Sequence, residues 1–124
     1  MWYNDCIIKL NNDNERRCTA VKRIILYAQI KEDMVEEYVR LHENAWPEVL
    51  DVIAQSNMHN YSISIRGNEL YTYYEYTGNN LEADQEKMSS NPVMQKWQKF
   101  TKPCFIRDEN GKAYKEMKEI FYSP

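Results

Sequence analysis

The sequence predicts an α+β domain: one open antiparallel sheet with helices on a single face. Three observations carry this prediction. From residue 23 onward, segments rich in β-branched and aromatic residues alternate with helical periodicity in the order strand, helix, strand, strand, helix, strand. Two of the strands are joined by a Gly67-Asn68 turn that makes them an antiparallel hairpin. The chain of 124 residues, 43% apolar and 28% charged, has the length and balance of one globular core.

The elements follow in order. Residues 1 to 20 differ from the rest, with a short strand at Cys6 to Leu10 and a polar loop from Asn11 to Arg17. This stretch, with the boundary drawn at 1–22 against a single domain at 23–124, reads either as an arm or as an added edge strand. Ile24 to Ile30 has the composition of a well-buried strand. Met34, Val35, Tyr38, Leu41, His42 and Ala45 then recur at spacings of three and four, one face of a helix. Pro47 suits a first helical position and opens a second piece, with Val49, Leu50 and Ile53 as its apolar stripe.

Met58 to Ile65 alternates with period two, which puts His59, Tyr61, Ile63 and Ile65 on one face and Asn60, Ser62 and Ser64 on the other. Leu70 to Thr77 returns as the second strand of the hairpin. Leu81 to Ser89 reads as a polar helix. Asn91-Pro92 is an N-cap followed by proline at the first position of another, whose apolar face is Val93, Met94, Trp97 and Phe100. Pro103 ends it, Arg107 to Lys112 is a charged loop, and Met117 to Tyr122 closes the sheet as a last strand. The order βαββαβ is satisfied by the ferredoxin-like arrangement. The sheet face without helices carries tyrosines and isoleucines, an apolar patch that a second copy packed sheet to sheet would cover, so a homodimer is expected.

Composition narrows the function. Sixteen basic and nineteen acidic residues leave a net charge of −3, without the basic cluster that nucleic acid demands. No apolar run approaches the roughly 20 residues of a membrane-spanning helix. The Cys6-Ile7-Ile8 stretch, broken by Lys9, is too short for a signal-peptide core, so a cytoplasmic protein is expected. Three cysteines without C-x-x-C spacing read as reduced thiols, and two histidines without nearby soft ligands argue against zinc. Aromatic residues make up 13% of the chain, ten of them Tyr. A ring with a polar tip suits a core that borders a wet pocket, either as plain packing or as a site for a small polar ligand such as a sugar.

Several side chains could carry chemistry there. His42 lies one turn after Tyr38 and so shares its helical face. Its side chain can give and take a proton near neutral pH, or simply cap a helix end. Tyr61 and His59, at the start of a strand, could face a cleft or pack. Trp97 sits on an apolar helix face. Glu75, among tyrosines, is either solvated or a buried carboxylate with a partner.

A resemblance weights these choices. Glu36-Glu37-Tyr38-x-x-x-His42, Trp46-Pro47-Glu48 and His59-Asn60-Tyr61 resemble the L-rhamnose mutarotase family, as do Val93-Met94-Gln95-Lys96-Trp97 and the terminal Glu119-Ile120-Phe121-Tyr122-x-Pro124. The resemblance runs from about Arg23 to Pro124 and leaves residues 1 to 20 outside. It implies a dimeric α+β barrel of ferredoxin-like type that interconverts the α and β anomers of L-rhamnose without a cofactor. It makes His42 the proton donor, Tyr38 and Tyr61 sugar contacts, and Trp97 part of the pocket wall. The family carries a second Trp directly after that one; here Gln98 stands in its place, an amide for a stacking ring. The base is left open among Tyr61, His59, a water and a substrate hydroxyl. The alternatives are the same chemistry on L-fucose or another 6-deoxysugar, a monooxygenase of the dimeric α+β barrel type, and a non-catalytic dimeric binding protein.

Overall fold

The computed structural model describes residues 6–10 and 16–124, with side chains from Val21 onward. Strands β1 (Cys6–Leu10) and β2 (Arg16–Ala20) pair antiparallel as a two-stranded sheet of their own, Cys6 opposite Ala20 and Leu10 opposite Arg16. Of the segment expected to be a polar loop, residues 11–15 lie outside the described residues. Arg16 and Arg17 belong to β2, where they stand opposite Leu10 and Lys9.

The main sheet holds β3 (Lys22–Ile30), β4 (Met58–Arg66), β5 (Glu69–Tyr76), β6 (Phe105–Ile106) and β7 (Lys115–Glu116). Its order is β4-β5-β3-β6, with β7 also on β3, and every pairing is antiparallel. This is the ferredoxin-like order expected from the sequence. The hairpin between β4 and β5 turns through Gly67 at φ +61°, a left-handed conformation that glycine adopts without a Cβ penalty. Helices α1 (Val35–Glu43), α2 (Pro47–Gln55), α3 (Leu81–Ser90) and α4 (Pro92–Thr101) supply the other layer. Pro47 and Pro92 open α2 and α4 as their sequence suggested, and the Asn91 side chain accepts the Val93 backbone N–H at 2.9 Å.

Alternation on β3 and β5 sorts the sheet into two faces. Ile24, Ala28, Ile30, Leu70, Thr72, Tyr74 and Tyr76 are buried under the helices. Around them sit Tyr38, Val49, Val52, Met94, Trp97 and Phe105. The opposite face carries Ile25 and Tyr71, each 41% exposed, with Tyr27 packed against Tyr71 at 5.3 Å.

Two expectations are corrected. The strand expected at Met117 to Tyr122 is not there: the ladder on that edge is β6, then β7, and beyond the Met117 N–H on Ile25 side-chain contacts replace it. Arg23 holds that segment, binding the Glu119 carboxylate at 2.6 Å and lying 3.3 Å from the Tyr122 ring centre. Nor do His59 and Tyr61 share a face. The register slips between His59 and Ser62, with Asn60 at φ +49°, so an extra residue enters β4 as a bulge. His59 stands opposite Glu75 on the face without helices, whereas Tyr61 turns inward and stacks on Tyr74 at 5.4 Å and 8°.

Candidate active site

A cavity of about 450 Å³ opens between the inner sheet face and the helices, and Tyr38, His42, Tyr61, Trp97 and Gln98 all line it. Three elements deliver them. Helix α1 carries Tyr38 and His42 one turn apart, their rings 4.3 Å centre to centre. Helix α4 carries Trp97, which is 6% exposed and meets the His42 ring edge-on at 5.4 Å. Gln98 follows it, half-buried on the same wall. The bulge in β4 delivers Tyr61. Trp46, which caps α2, packs against Trp97 at 5.2 Å and fixes it from behind.

The His42 ring has a defined orientation. Its Nδ1 lies 2.8 Å from the Tyr38 carbonyl oxygen. A carbonyl only accepts, so Nδ1 carries a hydrogen and donates it, which leaves Nε2 as the nitrogen that exchanges protons. His42 is half-buried at the cavity lining.

The phenols around it are neutral. Burial pushes the Tyr38 hydroxyl far above its ordinary value, with the nearby Tyr61 adding to the shift. Burial likewise pushes up Tyr61, helped by Tyr114 and Tyr74. A buried phenol held neutral is a hydrogen-bond donor, not a base. Ile53, Met58, Met88 and Met94 line the same cavity, so apolar side chains are interleaved with its aromatic ones. A small ligand that carries both hydroxyls and a hydrocarbon patch matches that mixed lining.

The chain also matches known proteins. The family model described as L-rhamnose mutarotase matches residues 23–123. The chain belongs to the L-rhamnose mutarotase family. An L-rhamnose mutarotase from Oceanobacillus iheyensis is 30% identical over 93 residues, covering 73% of this chain and 86% of that protein. One from Escherichia coli K12 is 31% identical over 101 residues, covering 77% of this chain and 92% of that protein. The crystal structure of an L-rhamnose mutarotase from Formosa agariphila superimposes with a TM-score of 0.65 at 19% identity, covering 83% of this chain and 99% of that one, a likeness of fold.

Two residues considered for chemistry lie away from the cavity of this mutarotase-family chain. His59 is exposed on the opposite sheet face. Glu75 is on that face too, where it accepts from Asn60 Nδ2 at 2.9 Å and from the Tyr73 hydroxyl at 2.8 Å. Those two donors, Asn60 first, hold its carboxyl below the usual range. Sequence reasoning missed Tyr74, Gln85 and Tyr114 in the cavity wall. Tyr74 was legible in principle, because period two along β5 puts it on the inward face with Leu70, Thr72 and Tyr76. Tyr114 follows a charged loop, and no periodicity marks it. Among the described residues, no helix is long and apolar enough to cross a membrane.

Proposed function

We propose that this protein interconverts the α and β anomers of L-rhamnose by acid–base ring opening and closure, with His42 as the proton donor. The observation that carries the reading is the His42 ring, pinned through Nδ1 and edged by Trp97 in a cavity of neutral phenols. In the opening step His42 Nε2–H delivers a proton to the ring oxygen while the anomeric hydroxyl loses one. The C1–O5 bond breaks and an open-chain aldehyde forms. Rotation about C1–C2 presents the other carbonyl face, and the reverse proton transfers reclose the ring. One proton enters and one leaves, so atoms and electrons balance without an oxidant.

Tyr38 and Tyr61 hold sugar hydroxyls in this reading, Trp97 covers the C6 methyl, and Gln98 supplies an amide to the rim. His59 is too far round the sheet to be the base, and the buried Tyr61 phenol is too weakly acidic to ionise. The proton is therefore accepted by water or by a substrate hydroxyl.

The test is exchange between the anomeric NMR signals of L-rhamnose, with wild type and with His42→Ala. Wild type accelerates the exchange, and the variant loses about 10²–10⁴-fold, the usual contribution of a positioned acid. Equal rates on L-rhamnose and D-glucose would overturn the substrate, and the same panel with L-fucose ranks the 6-deoxysugars. The proposal includes a cytosolic homodimer that buries Ile25 and Tyr71 between the two sheets, supported by their exposure in one copy. Sedimentation at micromolar concentration gives twice the chain mass; a monomer would remove the dimer.

A further inference from the structure

Helix α3 is mostly polar, and one of its polar residues stands where the helical pattern calls for an apolar one. Leu81 and Met88 pack on the core cluster that holds Met58, Tyr74 and Tyr76. Gln85 lies four residues after Leu81 and three before Met88, in the middle of the same inward stripe. The helix around it is fixed. Asp84 accepts the Tyr76 hydroxyl and, at 3.1 Å, the Asn57 amide, and Asn80 caps the helix by accepting the Ala83 N–H at 3.1 Å. The Gln85 side chain reaches the cavity wall, where its Nε2 donates to the Tyr74 hydroxyl oxygen at 3.3 Å. Tyr74 lines the same cavity, is 2% exposed, and has its ring stacked on Tyr61.

A phenol oxygen that accepts an N–H keeps its own hydrogen to give. Among the described residues, that hydrogen of Tyr74 meets no protein acceptor. A buried donor left unpaired costs free energy, which a ligand oxygen at the cavity wall would recover. We propose that Gln85 is a positioning residue: by holding the Tyr74 oxygen it turns the Tyr74 O–H to a sugar hydroxyl other than the anomeric one. The pair comes from β5 and α3 and His42 from α1, so this contact stands apart from the proton transfer. It rests on the mutarotase reading, which supplies the sugar. The amide is specific to the task. Leucine would not hold the oxygen, and the carboxylate of glutamate would accept the phenol's hydrogen and so withdraw it from the ligand.

The test is the same anomer-exchange assay on L-rhamnose, run with saturation curves beside a thermal melt of each variant. Tyr74→Phe removes the hydroxyl and keeps the stack on Tyr61. Gln85→Leu removes the hydrogen bond and gives the inward stripe an apolar residue. Both raise KM about two- to tenfold, the effect of one neutral hydrogen bond, and leave kcat within about twofold because His42 still moves the proton. On a Tyr74→Phe background Gln85→Leu adds nothing further, since the hydroxyl it orients is gone. Gln85→Glu keeps the link to Tyr74 but reverses its direction, because Gln85 is exposed on its outer side and a carboxylate there stays ionised at pH 7. It therefore keeps the wild-type thermal midpoint and still raises KM, a split that a merely structural bond would not give. A wild-type KM in Gln85→Glu, or additive effects of Gln85→Leu and Tyr74→Phe, would overturn the positioning role while leaving the wild-type activity standing. A hundredfold fall in kcat for Tyr74→Phe would overturn it too, by placing that phenol at the reacting atoms. Absence of wild-type exchange on L-rhamnose and L-fucose alike would sink the mutarotase reading itself, and the positioning role with it.

Discussion

Tyr61→Phe separates binding from proton transfer. The substitution removes one oxygen and keeps the ring, so the parallel stack on Tyr74 at 5.4 Å survives and the fold is not disturbed. Two roles for the lost hydroxyl give very different magnitudes. As a neutral donor to a sugar oxygen it is worth about 0.5–1.5 kcal/mol, a two- to thirteenfold rise in KM with little change in kcat. As the base that takes the anomeric proton, its loss would lower kcat by about 10²–10⁴-fold. The structure decides between them through burial. A phenol in water ionises near pH 10, so about one in a thousand is charged at pH 7. Burial of Tyr61 beside Tyr114 and Tyr74 pushes that fraction lower still. The expected result is the KM effect, with thermal stability unchanged. The assay is anomer-exchange NMR across L-rhamnose concentrations at pH 7. A hundredfold fall in kcat at constant KM would refute the argument from burial and name Tyr61 as the base.

Three further outcomes are expected. At Gly78 an added Cβ would stand 2.6 Å from Tyr76 Cζ and 2.6 Å from Asp84 Oδ2, so Gly78→Ala costs about 1–3 kcal/mol and lowers the thermal midpoint by roughly 4–12 °C; an unshifted melting curve would contradict this. The Tyr76 hydroxyl, and after it the Asn57 amide, hold the Asp84 carboxyl below the usual range. Its contribution to stability is therefore present above the ordinary Asp value and is lost as pH falls through the lowered one. Asp84→Asn flattens the acid side of a plot of thermal midpoint against pH, and parallel curves for the two proteins would refute the linkage. Gln98→Trp adds a ring to the wall where the family has one, lowering KM for L-rhamnose about two- to tenfold as aromatic contact with the deoxysugar grows; a rise in KM would show that the amide itself binds.

The periodic parts of the fold were legible in the sequence for a physical reason. Apolar spacing reports which face is buried, and both β3 and α4 have one buried face. Asn91-Pro92 and Gly67-Asn68 fixed their boundaries because caps and turns depend on local chemistry. The failures have local causes as well. Period-two reading carried His59 along with Tyr61, and a bulge, which a hydrophobic pattern does not register, turned it to the other side. At the C-terminus the apolar Ile120 and Phe121 looked like a strand, yet they stand 90% and 81% exposed in a segment that Arg23 holds through the Glu119 and Tyr122 side chains. The cavity residues on α1, β4 and α4 were legible through the family resemblance. Tyr114 was not, because a single tyrosine after a polar turn carries no pattern of its own.

The abundance of tyrosine, ambiguous as composition, divides by position into separate tasks. Tyr27, Tyr71 and Tyr73 lie on the sheet face without helices, where the phenol lets an apolar patch tolerate water. Tyr76 serves the fold, since its hydroxyl donates to Asp84 and accepts the Asn80 N–H, docking α3 onto the sheet. Tyr38, Tyr61, Tyr74 and Tyr114 line the cavity. Phenylalanine would fill that space equally well but would leave a sugar's hydroxyls unpaired on leaving water, a cost of about 1–3 kcal/mol each. Ionisable side chains would pair them but would compete with His42 for the proton. Neutral phenols avoid both problems, and they suffice because ring opening already proceeds in water and needs one well-placed acid to go faster. In the proposed reaction the remaining demand is to hold a 6-deoxysugar still beside His42, and the aromatic wall is the part of the cavity suited to do so.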